Sequence, residues 1–540
     1  MRTAHPAAAV AAALLGSLPL GAAWAQAASC ESLAGKTLGT ASIAAATAES
    51  PPFSVRDEVP PNTVSPSVPF CRVRGVIKPS LDSDIHFELW LPQPSAWNGK
   101  YEGVGNGGFA GFITYAPMGR ALDAGYAVSG TDTGHVAQVT DARWALSHPE
   151  KVVDFGWRAI HETALASKAV VQAYYGRVPA HAYFAGCSDG GREALMEAQR
   201  FPEDYDGIVA GAPANDWTRL LAAGTWAEQA LLAAPGGALS AKKLPAITDA
   251  VLRACHGEDG MVDDPSQCRF DPSLLLCRGT ESDSCLTAAQ VTTLEKIYSG
   301  PRDAEGASVF PGLTPGGEAD PTGWGLWITG TGSNPGEGSL ILAFSRGFFA
   351  NVVFGDPDWD VRSLNFGEDL KITDAKAAAA LNARDTDLTR FKAAGGKLIQ
   401  YHGWYDAAIS PMASVRYYEA VAQRLGGLPQ TQSFYRLFMG PGMQHCGDGV
   451  GPNAVSGPFG RPAPAHDPTH DVVAALAHWV EDGVAPAALV ATKYQDNNPQ
   501  KGVAMQRPWC PWPAVARYSG QGSRNEAANF SCVTAEQHDQ

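Results

Sequence analysis

At 540 residues the chain is longer than one hydrophobic core usually supports, so one large domain with a sizeable insertion, or two domains, is expected. Its composition, 45% hydrophobic and 18% charged, is that of a globular protein, and no run reads as a lipid-spanning helix. The net charge of −15 argues against nucleic acid or an anionic membrane surface as a partner, and the sequence carries no signal of oligomeric state.

Residues 1–25 read as a bacterial-style secretion signal. Arg2 is the basic start, "AAAVAAALLGSLPLGAA" the apolar stretch, and Ala23-Trp24-Ala25 a small-x-small cleavage site. Export would place the mature protein in the periplasm or outside the cell, where disulfides persist. Ten cysteines make five bridges the simplest reading, with local spacing favouring Cys255–Cys268, Cys277–Cys285 and Cys510–Cys532. A zinc site is disfavoured, because no C-x-x-C pair occurs.

From about Lys100 to Ala212, strand-like apolar runs alternate with helical patterns. "KYEGVGNGGFAG" runs from a strand into a glycine-rich loop, and "GYAVSGTDTGH" is a short apolar run. "DFGWRAIHETALASKAVVQAYYG" has helical periodicity with a stop at Gly176. "AHAYFAG" and "YDGIVAGAPA" read as buried strands on either side of the helix "GREALMEAQRFP". This alternation predicts a parallel sheet covered on both faces. Residues from about Asn215 to Asp385 lack it and hold four cysteines, many Gly and Pro, and aromatic clusters, as an inserted domain would. The α/β pattern resumes with "DLTRFKAAGG", "KLIQYHGWYD", "VRYYEAVAQRLGG", "SFYRLFMGPGMQHC" and "HDVVAALAHWVEDG".

Gly186-Cys187-Ser188-Asp189-Gly190 is a G-x-S-x-G pattern between a strand and a helix, the tight turn that exposes a nucleophilic serine at the carboxyl edge of a sheet. The backbone N–H of Asp189 would face the developing oxyanion at the helix N-terminus. The alternative is a Gly/Ser-rich turn with no chemistry. His161, His181 and His478 sit on or beside regular elements, whereas His445 lies in a glycine-rich loop after a strand. Asp406 follows the strand Lys397–Tyr401. Ser188, Asp406 and His445 then stand in hydrolase chain order, although Asp406 and His445 each read equally as loop residues satisfying turn hydrogen bonds. Cys187 abuts Ser188 and Cys446 abuts His445. A bond between those sulfurs, with Cα atoms roughly 4.4–6.8 Å apart, would strap nucleophile to base across the chain.

The "GCSDGGRE" elbow, the "HGWYD" loop, the "MQHC" histidine, "WNGKYEGVGNGGFAG" and "RFPEDYDGIVAGAPA" resemble the tannase / feruloyl esterase family, which includes the hydrolase of mono(2-hydroxyethyl) terephthalate. The resemblance covers nearly the whole mature chain. It implies an α/β-hydrolase catalytic domain over residues 26–213 and 386–540, with a lid over 214–385. It also implies a Ser188, Asp406, His445 triad and the pairs Cys187–Cys446, Cys30–Cys71, Cys255–Cys268, Cys277–Cys285 and Cys510–Cys532. The second oxyanion donor would be the N–H of Gly108 in "GNGGFAG", with Gly107 as the alternative; a backbone that meets substrate closely suits glycine.

The family's lid commonly carries a calcium loop. Here "CHGEDGMVDDPSQC" keeps Asp259 and Asp263 with the Met261 carbonyl between them, but His256 stands where an aspartate is expected and the loop is about four residues short. Replacing a carboxylate by imidazole weakens a site for a cation that takes six to eight oxygens. A structural Ca²⁺ and a solvated acidic turn closed by its own disulfide are equally open readings of this loop.

The expected activity is hydrolysis of small-molecule aromatic esters of feruloyl, galloyl or terephthalate-monoester type through an acyl-serine, with no cofactor in the chemistry. Arg346 is a candidate partner for a substrate carboxylate, and the lid aromatics Trp324, Trp327, Phe344, Phe348 and Phe349 read equally as substrate slot or lid core. A secreted serine peptidase on the same scaffold and a non-catalytic binding module are the competing readings.

Overall fold

The computed structural model describes residues 1, 3–4, 28–57, 61–233, 235–257, 259–332 and 336–534. The secretion signal over 1–25 and its cleavage site lie outside the described residues, save positions 1, 3 and 4. Among the described residues, no helix is long and apolar enough to cross a membrane.

A ten-stranded mixed sheet forms the centre. Its strands are β1 (Thr37–Leu38), β2 (Ala41–Glu49), β3 (Phe70–Ile77), β4 (Ile85–Pro92), β5 (Lys100–Val104), β6 (Ala127–Thr131), β7 (His181–Cys187), β8 (Gly207–Gly211), β9 (Lys397–Gly403) and β10 (Tyr435–Gly440). In space they run β1-β2-β3-β4-β6-β5-β7-β8-β9-β10. From β6 to β10 every pairing is parallel, as the strand–helix alternation predicts; from β1 to β4 and on to β6 every pairing is antiparallel. Short turns can join antiparallel neighbours, so the strands before Lys100 carry no intervening helical pattern to announce them. The result is an α/β-hydrolase sheet with an antiparallel extension.

The parallel strands are buried on both faces. On one side lie Phe184, Ile208 and Leu398 with the helix-borne Leu195, and on the other Tyr183, Val209, Ile399 and Phe438. Successive residues of a strand point to opposite faces, so a continuous apolar run such as "HAYFAGC" is what a doubly covered strand requires. The helices that matter for the site are α1 (Ala159–Tyr175), α2 (Asp189–Arg200), α3 (Trp217–Leu231), α4 (Leu340–Gly347) and α5 (Pro411–Arg424). Helix α1 ends at Gly176, whose φ of 74° is the left-handed cap expected of a glycine stop.

Between β8 and β9 the chain makes a long excursion that, among the described residues, contributes no strand to the central sheet. Its interior is aromatic: Phe348 and Phe349 pack with Trp217 and Trp359, and Trp324 is buried in a neighbouring cluster. All five disulfides are formed: Cys30–Cys71, Cys187–Cys446, Cys255–Cys268, Cys277–Cys285 and Cys510–Cys532. After β10 come the hairpin β11 (Leu489–Tyr494) and β12 (Val503–Trp509), and a second hairpin of Ala514–Tyr518 with Phe530–Thr534.

Candidate active site

Ser188 sits between the last residue of β7 and the first of α2, with φ 67° and ψ −119°. A side chain at such a positive φ is strained, and the strain is held by packing on both sides of the turn. A Cβ on Gly186 would lie 2.2 Å from the carbonyl oxygen of Gly190, so only glycine lets strand and helix close this tightly. The Ser188 N–H donates to the Gly211 carbonyl and the Gly190 N–H to the Asn106 carbonyl, which ties the elbow to β8 and to the glycine-rich loop.

His445 reaches the elbow from the loop after β10. Its Nε2 is 2.9 Å from Ser188 Oγ, and its Nδ1 is 2.7 Å from Asp406 Oδ2. With the carboxylate accepting from Nδ1–H, Nε2 is left as the acceptor for the serine proton. The Cys187–Cys446 bond, with Cα atoms 6.0 Å apart at a sequence separation of 259, holds the two segments together immediately beside Ser188 and His445.

Asp406 is buried in the turn after β9. Oδ1 accepts the N–H groups of Ala408 and Ile409, each at 2.8 Å; Oδ2 accepts from His445 and, at 3.0 Å, from Nε2 of His402. Burial pushes the carboxyl pKa up, but attraction to His445 and the hydrogen bonds of both imidazoles outweigh it and hold Asp406 well below the usual carboxylate range.

Asp189 is positioned from below. Its side chain is buried against Arg192 Nε at 2.7 Å, while Arg192 also donates to the carbonyls of Phe155 and Gly156. Burial raises the Asp189 carboxyl to about 6 against the pull of Arg192. That side chain faces into the protein, and the Asp189 N–H, at the first position of α2, has no intrahelical acceptor. Gly107 and Gly108 line the same cavity as Ser188. Gly108 has φ +59°, and a Cβ there would come within 2.3 Å of Val139, so no other residue fits this close backbone approach. The loop is fixed through Asn106, whose N–H donates to buried Glu193 at 2.9 Å.

Ser188 and His445 open into a cavity of about 260 Å³ whose other walls include Trp217, Leu220, Trp327, Leu340, Phe344 and Phe459. Of the five lid aromatics considered from sequence, Trp327 and Phe344 face this cavity, while Trp324, Phe348 and Phe349 are core of the excursion. Among the described residues neither Lys nor Arg lines it, and the one carboxylate at its edge, Asp448, is paired with Arg461 at 3.0 Å. Arg346 is exposed, outside the cavity wall, and acts electrostatically on Asp360.

The proposed calcium ligands do not fit the ion. Asp263 accepts from Arg507 Nη1 at 2.9 Å, Asp259 is ion-paired with the same guanidinium, and Arg524 Nε is 2.6 Å from Asp259. Arg507 comes from β12, its side chain is only 1% exposed, and Nη1 also lies 3.9 Å from the Met261 sulfur. The carboxylates that would hold a divalent cation already meet a buried monovalent one, and Ca²⁺ placed among them would be repelled by it. His256 is exposed at the loop's start, with φ 56°.

Sequence reasoning missed Arg507 and His402. Arg507 lies more than 240 residues from the loop it neutralises, and no local pattern links them. His402 did leave a signal: it and Gln400 are polar residues at alternate positions of an otherwise apolar strand, with Asp406 four residues on.

A family model described as tannase and feruloyl esterase matches residues 71–533. An esterase of Xanthomonas campestris pv. campestris, itself described as uncharacterized, is 44% identical over 88% of this chain and 86% of that protein. Feruloyl esterase B of Aspergillus niger is 31% identical over 87% of this chain and 88% of its own length. The crystal structure of feruloyl esterase B from Aspergillus oryzae superposes with a TM-score of 0.84 at 30% identity, covering 93% of this chain and 99% of that one. Tannin acyl hydrolase from Aspergillus niger shares the fold, with a TM-score of 0.71 at 23% identity over 92% of each chain.

Proposed function

The chain belongs to the tannase and feruloyl esterase family and is a carboxylic-ester hydrolase, and we propose that it works as an exported serine esterase on esters of aromatic acids that carry no second carboxylate. The observation that carries this reading is the continuous Ser188–His445–Asp406 hydrogen-bond chain at the mouth of an apolar, aromatic-walled cavity.

In the proposed mechanism, His445 Nε2 takes the Ser188 proton as Oγ attacks the ester carbonyl, and Asp406 stabilises the imidazolium that forms. The oxyanion is held by the N–H groups of Asp189 and Gly108. His445 then protonates the leaving alcohol, and water releases the acid from the acyl-serine by the reverse use of the same groups. The chemistry draws on no cofactor. Residues 214–385 act as the lid, with Trp327 and Phe344 gripping the flat aryl group.

The substrate follows from the cavity's chemistry. A terephthalate monoester would bring a carboxylate to a wall that holds no Lys or Arg among the described residues, an unpaired buried charge. A galloyl group would bring three hydroxyls to a mostly apolar lining. A hydroxycinnamoyl group, with one or two ring substituents and an apolar spacer, suits it best. Five disulfides support export to an oxidising compartment.

The test is a kcat/KM panel on methyl ferulate, methyl gallate, mono(2-hydroxyethyl) terephthalate and the anilide of ferulic acid. The reading predicts methyl ferulate first and the anilide far below. Preference for the terephthalate monoester would overturn the substrate class, and comparable anilide turnover would favour a peptidase.

A further inference from the structure

The chain of hydrogen bonds behind Ser188 does not stop at Asp406. His402, at the end of β9 and fully buried, meets two acceptors with its Nε2: Asp406 Oδ2 at 3.0 Å and the Ile409 carbonyl at 3.1 Å. Two acceptors facing one ring nitrogen require a proton on it. Its Nδ1 is 2.7 Å from Oγ of Ser414, in the first turn of α5, and the same oxygen is 2.6 Å from Gln400 Nε2. Gln400 Oε1 in turn meets the phenol of Tyr435 on β10.

The directions along this chain are fixed by its far end. Tyr435 is fully buried, and the Gln400 amide is the one hydrogen-bond partner of its hydroxyl among the described residues. If the amide were turned so that Nε2 faced the phenol, the phenolic proton would have no acceptor, at a cost of about 1–3 kcal/mol. The phenol therefore donates to Oε1, Gln400 Nε2 donates to Ser414 Oγ, and the single hydroxyl proton of Ser414 is left to donate to His402 Nδ1. An imidazole that accepts at Nδ1 and donates at Nε2 is neutral.

We propose that His402 is a positioning residue for the esterase reaction: a neutral imidazole that aims the Asp406 carboxylate without cancelling its charge. This rests on the triad reading given above. A cationic group at the same place would hold Asp406 equally well, but it would compete with His445 for the negative charge that stabilises the imidazolium in the transition state. A neutral donor separates the two tasks. The titratable groups it faces are Asp406 and His445, with Tyr435 reached through Gln400; α5 contributes the uncharged Ser414.

The first measurement is the ¹⁵N spectrum of the histidine-labelled enzyme at neutral pH, with the His402 ring assigned in the wild type by through-space contacts of its ring protons to Ser414 and Ile409. The expected signature is a neutral ring protonated at Nε2 alone. An imidazolium, or the opposite tautomer, would overturn the proposal even if every substituted form failed to fold.

The second is kinetic. His402→Leu removes the donor, and kcat for methyl ferulate should fall roughly tenfold to a hundredfold, the effect of a catalytic group displaced by a fraction of an ångström to an ångström, while KM stays within about twofold. His402→Gln carries an amide N–H at similar reach and should recover most of the loss. Wild-type kcat in His402→Leu, or equal losses in both variants, would overturn the proposal. Ser188→Ala run alongside separates the two layers: if it stays active, the triad reading has failed, whereas if it is dead and His402→Leu is fully active, only the positioning role has failed.

Discussion

Ser188 and the rings of Trp327 and Phe344 border the same cavity, but they arrive there by different routes. The serine, with Asp406 and His445, sits at the carboxyl ends of β7, β9 and β10, three strands of one parallel sheet, and a disulfide ties the first to the third. The two rings come from a helical excursion whose shape is set by aromatic packing: Phe344 against Phe109, and Trp327 both beside Phe344 and edge-on to the His445 imidazole. The sheet positions the proposed chemistry to within hydrogen-bond distance. The excursion supplies a wall, and walls tolerate change that a hydrogen-bonded triad does not. Loss of a group in the first region should therefore act on kcat, and in the second on the choice and binding of substrate.

The sharpest break of this contrast is Ser188→Ala. Turnover of every ester should fall by on the order of 10⁴-fold or more with an unchanged melting temperature, as steady-state rates and thermal denaturation would record. Next is the strap. Replacing Cys187 and Cys446 together by Ser should lower kcat roughly tenfold to a hundredfold by loosening the elbow against the histidine loop. It should also cost about 2–5 kcal/mol in stability, read from a denaturant titration. In the excursion, Phe344→Ala should raise KM for methyl ferulate about tenfold through lost ring contact. The rate on an acetyl ester, which does not reach that ring, should barely move, and the ratio of the two esters is the measurement. The smallest effect concerns the loop closed by Cys255–Cys268. Because Arg507 and Arg524 together already neutralise Asp259 and Asp263, dialysis against a chelator should leave the melting temperature and kcat where they were. Arg507→Met should lower the melting temperature by a few degrees, because part-exposed Asp263 loses its cation while Asp259 keeps Arg524. A melting temperature that fell with chelator and returned with Ca²⁺ would restore the metal to that loop.

The same contrast explains what could be read in the sequence. The strand–turn–helix at Ser188, the loops after Lys397–Gly403 and Tyr435–Gly440, and the Gly176 stop are local signals. Each depends on a few neighbouring residues with a period of two or 3.6, a glycine that must close a turn, or a serine at an elbow. The strands before Lys100 left no helix–strand alternation, because antiparallel neighbours need none. In the excursion, "GWGLWITG" and "FSRGFFANVVF" announce aromatic packing but not which ring turns inward: Trp324 and Phe348 went to the core and Trp327 and Phe344 to the cavity. That sorting is decided by contacts with α3 and with the Gly108 loop, far away in sequence. Arg507 and the Asp259 loop met in the same way, through tertiary packing with no local trace. His402 is the intermediate case, legible as a polar residue on an apolar strand, but with a role that depends on Ser414, Gln400 and Tyr435 arriving from three elements.

The claim on which the rest depends is that Ser188 is the group that becomes acylated. Treating the native enzyme with a fluorophosphonate and mapping the adduct by peptide mass spectrometry tests it most directly. The account predicts one stoichiometric adduct on Ser188, loss of esterase activity in step with labelling, and no adduct in Ser188→Ala. An adduct on another residue, or full ester turnover by an enzyme whose Ser188 is completely blocked, would contradict it.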